Sequence, residues 1–221
     1  KKNKDLTIIQ ADIRNLSKNF FKNIFAVIDL AAISNDPSGE KFVKQTFAIN
    51  YKARARNAKL AKISGVRRYI MPSSCSNYGR IKKNQIADEK FKLKPLTNYS
   101  KANSLLEKDI LKLKSKRFCV VVLRQGTVYG FSPRMRFDLA VNRMTYECWK
   151  NQSLPLMKDG SQRRPTLHIK DAMKAMKFML ETKIEKINGQ IFNVGGENNN
   201  YTMLKLGNEI RELFKKKIKI K

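Results

Sequence analysis

Two short segments gather the residues whose types and spacing could do chemistry: Ser73-Ser74-Cys75-Ser76-Asn77-Tyr78-Gly79 and Asn98-Tyr99-Ser100-Lys101-Ala102-Asn103. Ser74 and Tyr99 lie 25 residues apart, the first at the end of an expected strand, the second opening an expected helix. A phenol can move a proton, but an ordinary pKa near 10 makes it a poor base at neutral pH unless a cation stands nearby. The residue four positions on, and so on the same helical face, is Asn103, which hydrogen-bonds but carries no charge. Lys101 is rotated by about 200° from Tyr99 and points elsewhere. A lone tyrosine opening a helix reads as packing. Cys75 has no evident base partner and reads as a small buried thiol. Cys75, Cys119 and Cys148 show neither metal nor disulfide spacing, so no metal site is expected and a reduced, cytoplasmic compartment is. His168, the only histidine, reads as a hydrogen-bonded structural residue rather than a general base.

These residues must be placed by alternating strands and helices. An apolar strand is expected over 7–12, and Phe25-Ala26-Val27-Ile28-Asp29-Leu30 reads as a buried parallel strand. The segment 40–64 follows as a helix with Phe42, Ile49, Ala53, Leu60 and Ile63 at helical spacing, stopped by Gly65. A strand enters at Arg68-Tyr69-Ile70-Met71. Residues 97–116 read as a long helix with Leu105, Leu106, Ile110, Leu111 and Leu113 on its apolar side. Residues 118–123, with three consecutive valines, are the most β-prone run. Such alternation implies βαβ units and a parallel sheet. After Gly130 the pattern loosens: 132–136 is a loop and later elements are shorter.

Composition sets outer limits. A chain of 221 residues can bury one core, or one core plus a small lobe. Its formal net charge of +29 raises nucleic acid or an anionic membrane surface as partners. The lysines are scattered rather than clustered, however, and Lys, Asn, Ile and Phe are together abundant, as A/T-rich coding would give. They read as solvated surface; neither nucleic acid nor membrane is expected as a partner. The run 215–221 reads as a helix continuing into solvent. No apolar run reaches membrane-spanning length, and no signal peptide is recognisable.

Taken together and in order, the segments resemble the extended short-chain dehydrogenase/reductases, the NAD-dependent epimerase/dehydratase family. The resemblance spans nearly the whole chain. Thr7-Ile8-Ile9-Gln10-Ala11-Asp12-Ile13 resembles the family's third nucleotide-domain strand, Leu30-Ala31-Ala32 its small-residue cofactor loop, and Leu123-Arg124-Gln125-Gly126-Thr127-Val128-Tyr129-Gly130 the strand and loop beneath the nicotinamide. Phe137-Asp138-Leu139-Ala140-Val141-Asn142-Arg143 resembles a phosphate-contacting segment, and Gln162-Arg163-Arg164-Pro165-Thr166-Leu167-His168-Ile169-Lys170-Asp171 the family's Arg-x-x-Ile-His-Val-x-Asp. Phe192-Asn193-Val194-Gly195 completes it. The resemblance implies an α/β fold, a Rossmann-like parallel sheet with helices on both faces, plus a small C-terminal substrate lobe. Residues 1–130 would form the nucleotide-binding domain; 131–221 would be mainly the substrate lobe, with an interleaved return to the sheet. No Gly-rich pyrophosphate turn occurs in the chain, so it is expected to be a fragment lacking the first two strands.

The implied activity is Tyr-assisted hydride transfer by an NAD(P)-dependent sugar-nucleotide epimerase or oxidoreductase. The implied catalytic residues are Ser74, Tyr99 and Asn103. Cofactor binding, by NAD or NADP, would fall to Asp12, Ile13, Leu30, Ala31, Ala32, Asn50, Ser73, Tyr99, Asn103 and Gln125. Ser74, Thr127, Asn142 and Arg164 would hold a nucleotide-sugar substrate, and the full-length protein would be a homodimer. The chain departs from the family in carrying Asp29 where His is common and Asn103 where the family has Lys. Cys75 and Ser76 stand where dehydratases place Asp and Glu, which disfavours dehydration. Arg164 alone would read as a solvated charge, and Asp12 alone as a turn cap. A family reductase, a catalytically impaired sugar-nucleotide binder and a basic nucleic-acid binder remain as alternatives.

Overall fold

The computed structural model describes residues 4–82, 85–196, 199–214 and 218–220. The chain divides into two compact units, residues 1–122 with 182–191 and residues 123–181 with 192–221. It changes unit three times: within the strand Cys119–Gln125, after Glu181, and within the strand Gln190–Val194.

In the first unit, β1 (Ala26–Ile28) leads to a nearly continuous helical run: α1 (Asp36–Lys41), α2 (Val43–Thr46), a π-helical segment Phe47–Ala53, and α3 (Arg54–Ile63). The run starts earlier than the spacing of apolar residues suggests, because Asn35 caps it, its Oδ1 accepting from Ser38 N at 2.7 Å, with Pro37 in the first turn. It ends where expected, at Gly65 with φ 87°. Next come β2 (Arg68–Ser74), α4 (Asn98–Leu111) and β3 (Cys119–Gln125). α4 stops short of the expected 116; a backbone bridge between Ser115 and Phe118 turns the chain into β3.

The four-stranded sheet runs β1-β2-β3-β7, with β7 at Gln190–Val194, and β1 pairs parallel to β2, Val27 opposite Tyr69. The fold is α/β with a parallel sheet. Phe118, Val120 and Val122 join Tyr69, Met71, Ala58, Leu106 and Ile110 in one core, while Cys119 and Val121 are equally buried on the other face of β3. That two-sided burial explains a continuous rather than alternating apolar run.

Three expectations are corrected. Residues 7–12 form no strand: Ile8 and Ile9 are 84% and 65% exposed, and among the described residues no neighbouring strand offers their backbone a ladder. The buried faces of the two long helices are more polar than the apolar spacing implied. Phe42, Ile63 and Leu105 are exposed, whereas Thr46, Asn50, Arg54, Asn57, Asn103 and Glu107 are buried. Polar residues take the inward positions because they have partners there, as described below. Finally, among the described residues no helix runs into the basic C-terminus. α8 (Met203–Glu212) ends first, Lys215, Lys216, Lys217 and Lys221 lie outside the described residues, and Lys219–Ile220 (β9) pairs parallel with Ser153–Leu154 (β5).

In the second unit a small sheet runs β4-β6-β8, with Thr127–Tyr129 (β4) parallel to Arg163–His168 (β6) and β6 antiparallel to Asn200–Thr202 (β8). α5 (Ala140–Asn151) and α8 close a second core of Met144, Cys148, Leu154, Met203, Leu206 and Ile210. α6 (Ile169–Glu181) follows β6 directly. Among the described residues no helix is long and apolar enough to cross a membrane.

Candidate functional site

Ser74 ends β2 and caps the 3-10 turn Cys75–Tyr78; its Oγ accepts from Ser76 N at 3.2 Å and from Ser76 Oγ at 2.9 Å. The strand end is clamped from below. Glu107 of α4, 2% exposed, accepts from Ser73 Oγ at 2.5 Å and from Asn77 Nδ2 at 2.7 Å. One carboxylate therefore ties the β2 end, the following turn and the helix carrying Tyr99 into a single piece.

Tyr99 stands in the first turn of α4. Thr97 caps that helix in a reciprocal box with Ser100: the Thr97 hydroxyl accepts from Ser100 N and the Ser100 hydroxyl accepts from Thr97 N. α1 then packs on this turn, Thr97 Oγ1 donating to Asp36 Oδ1 at 2.8 Å and Asn98 N donating to Glu40 Oε1 at 2.8 Å. Gly39 makes the approach possible, since a Cβ there would lie 3.3 Å from Tyr99 Cβ. Asn103, one turn on in the same helix, and Ser74 at the strand end both favour the ionised form of the phenol. Burial nevertheless raises its pKa above the ordinary 10, and the Asp36 charge adds to that, while Asn103, Arg54 and Ser74 pull the other way.

Asn103 is 1% exposed. Its Oδ1 accepts from Arg54 Nη1 at 3.4 Å, but among the described residues its Nδ2 finds no acceptor. Arg54, 2% exposed, binds Asp29 with the other edge of its guanidinium: Nε donates to Oδ2 at 2.8 Å and Nη2 to the Asp29 backbone oxygen at 2.9 Å. Tyr69 donates to the same carboxylate at 2.6 Å.

The other expected cofactor residues of this unit gather near the β1 end. Asn50, fully buried, pairs with the Ile33 backbone through both ends of its amide, at 2.8 and 2.9 Å, and so fixes the Leu30-Ala31-Ala32 loop. Ile13, Leu30, Ala31 and Asp29 line a cavity of about 300 Å³. Asp12 caps the short turn Ile13–Asn15, its carboxylate accepting from the Arg14 backbone N–H and guanidinium, which holds its pKa at about 2.

The second unit holds the remaining candidates. Gln125 ends β3 with a buried Nε2 that finds no acceptor among the described residues. Thr127 opens β4 opposite Thr166. Asn142 bridges the loop before it, Oδ1 accepting from Gly130 N and Nδ2 donating to the Arg136 oxygen, both at 3.2 Å. It also lines a cavity of about 650 Å³ walled by Tyr129, Phe137, Tyr146 and Trp149. Arg164 is exposed on β6, opposite Tyr201. His168 packs edge-on against Tyr129 and accepts from Lys170 N. Cys75 is half-buried rather than the buried thiol expected, and Cys119 and Cys148 are buried. Among the described residues no group of three or more His, Cys, Asp or Glu side chains could hold a metal ion.

The sequence reading missed Arg54, Asp29 as its partner, and Glu107. Glu107 could have been found, as it lies eight residues from Tyr99 and four from Asn103, on the same face.

Comparison with known proteins places this arrangement. An uncharacterised UDP-glucose epimerase of Bacillus subtilis strain 168, YtcB, is 26% identical over 201 residues, covering 86% of this chain and 57% of its own. UDP-D-apiose/UDP-D-xylose synthase 2 of Arabidopsis thaliana is 37% identical over 67 residues, 30% of this chain and 17% of its own. The chain thus spans little more than half the length of the first of these relatives. The solved UDP-glucuronic acid 4-epimerase from Bacillus cereus, in complex with UDP-glucuronic acid and NAD, superposes with a TM-score of 0.88 at 25% identity, covering all of this chain and 69% of its own. A family model, NAD dependent epimerase/dehydratase, matches residues 1–195, and the chain belongs to that family.

Proposed function

We propose that the protein is an NAD(P)-dependent sugar-nucleotide epimerase or oxidoreductase in which Tyr99 exchanges a proton with a sugar hydroxyl that Ser74 helps to hold. What supports this reading is that Ser74 and Asn103 both favour the ionised Tyr99 phenol, and that the buried Nδ2 of Asn103 finds no acceptor among the described residues. A donor left idle in such a place is costly unless a ligand oxygen uses it. A nicotinamide ribose hydroxyl fits that need, and Ile13, Leu30, Ala31 and Ala32 provide the small, partly apolar surface a dinucleotide requires. When bound, the nicotinamide would supply a hydride acceptor.

The chain's own part is to orient and to move protons. Ser74 Oγ, held by the Ser76 amide and hydroxyl, shares the sugar hydroxyl with Tyr99. With Tyr99 as phenolate, the O–H proton passes to its oxygen as the C–H hydrogen leaves as hydride, and a ketone forms; the reverse transfer to either face of the ketone gives back a sugar. Asn142, Thr127 and Arg164 are proposed to bind the nucleotide-sugar, Arg164 through its guanidinium fork on the diphosphate. Dehydration is disfavoured, since Ser76 binds Ser74 and Cys75 offers no carboxylate. The neutral side chain of Asn103 favours one second reading, a sugar-nucleotide binder with little turnover.

The test is incubation with NAD and UDP-glucose or UDP-glucuronic acid, reading the C4 epimer by NMR, for the protein and for Tyr99→Phe. Epimer formation abolished in Tyr99→Phe supports the proposal. Tight nucleotide-sugar binding with no product in either supports the silent binder.

A further inference from the structure

We infer that Arg54 is the cation of this proton-transfer site, a positioning residue that acts on Tyr99 through Asn103 from a different helix. The inference rests on the reading of Tyr99 as the acid–base group. Its basis is geometric. The guanidinium is almost wholly buried at the start of α3, and its two edges face different ways. The Nε and Nη2 edge is held by Asp29, while Nη1 is directed at Asn103 Oδ1. At 3.4 Å the second contact is long, so Nη1 keeps donor capacity and positive potential on the Asn103 side. Asn103 in turn stands one helical turn on from Tyr99, on the same face of α4. An amide polarised by a cation at its oxygen presents a more positive N–H to the far side, which is how charge can be relayed by a neutral side chain.

The charged and titratable groups around this first turn of α4 include Asp36 and Glu40 of α1, Asp29 after β1, Arg54 of α3, Tyr69 of β2, and Glu107. Asp29 is already shared by Arg54 and Tyr69, and Glu107 is turned to Ser73 and Asn77. Asp36 opposes ionisation of the phenol, and Arg54 alone among these charges favours it. A buried arginine is the residue for such a place, because it stays charged without solvent and can serve two partners at fixed angles.

The test reads Tyr99 ionisation directly, as the difference in phenolate ultraviolet absorbance between each protein and its Tyr99→Phe counterpart across pH. Arg54 is neutralised together with its partner, as Asp29→Asn with Arg54→Gln, so that no uncompensated buried charge threatens the fold; circular dichroism checks the result. The midpoint is expected to rise by about one unit, leaving about tenfold less phenolate at a given pH. Arg54→Lys should keep the midpoint closer to the unaltered value, and Asn103→Lys on the neutralised background should bring it back down. If the folded, neutralised protein titrates as the unaltered one does, the inference is overturned. The pH profile of hydride transfer is measured on the same variants. Its ascending limb should move upward with the midpoint. A limb that stays while the midpoint moves, or no turnover in any variant, counts against Tyr99 as the catalytic group and leaves the Arg54 coupling supported.

Discussion

One ion pair of the first unit differs from the helical surface pairs of the second in depth more than in length. In the first unit Arg54 and Asp29 meet at 2.8 Å with side chains 2% and 9% exposed. In the second, Lys174 and Asp171 meet at 3.3 Å with side chains 79% and 56% exposed, and Lys177–Glu181 and Lys205–Glu209 are similar surface pairs one helical turn apart. Water screens the surface pairs and each long side chain gives up rotamer freedom to make them, so they contribute tenths of a kcal/mol at most. The buried pair has no such outlet. Its energy is a balance of large desolvation and attraction terms, and removing one partner leaves the whole imbalance. In a chain with 47 Lys and Arg residues, where a cation sits therefore matters far more than that it is one.

Three substitutions sharpen that contrast. The largest effect is expected for Arg54→Met, which strands the Asp29 carboxylate; a loss of about 3–5 kcal/mol is expected, read by urea unfolding monitored at the helix signal. A loss under about 1 kcal/mol would mean that water reaches Asp29 freely. Next comes Glu107→Ala. It leaves the buried Ser73 hydroxyl without its acceptor, while Asn77 Nδ2 keeps Ser73 Oγ at 3.2 Å, and should cost about 1–3 kcal/mol in the same assay. The smallest effect is expected for Lys174→Ala in the second unit, within about 0.5 kcal/mol of zero. It could even stabilise, since a net charge of +29 makes each surface lysine repel the rest. A cost comparable to that of Arg54→Met would erase the distinction between the units.

The sequence made some of this legible and hid the rest for physical reasons. The valine run of β3 and the stop at Gly65 depend on local chemistry and were readable. The strand expected over 7–12 failed because a strand is a relation between two segments, and its own residues say nothing about a neighbour. The start of α1 was signalled by Asn35 and Pro37, but those residues lie outside the apolar spacing on which the expectation leaned. The π-helical segment has no comparable local signal. Within the candidate site, Ser74 and Tyr99 could be singled out only because the order of the segments resembles the family. Arg54 could not, because it looks like any other cation until Asp29, 25 residues earlier, is seen to hold it in the interior. Polar residues buried on a helix face defeat any search for apolar stripes, and here Asn50, Arg54, Asn57, Asn103 and Glu107 all do so.

The fork of Arg54 between Asp29 and Asn103 also bears on how such a site can change over evolutionary time. Positions 29, 54 and 103 hold one buried cation, its counter-ion and the amide between it and the phenol, so they form an interdependent set rather than three sites free to drift. A lysine arriving at 103 while Arg54 remains would crowd two cations against a single carboxylate. The same lysine arriving after Arg54 and Asp29 had become neutral would meet an empty place for its charge. The order of substitutions therefore decides which are tolerated, and a lineage that had once settled on this trio would find each single step back closed.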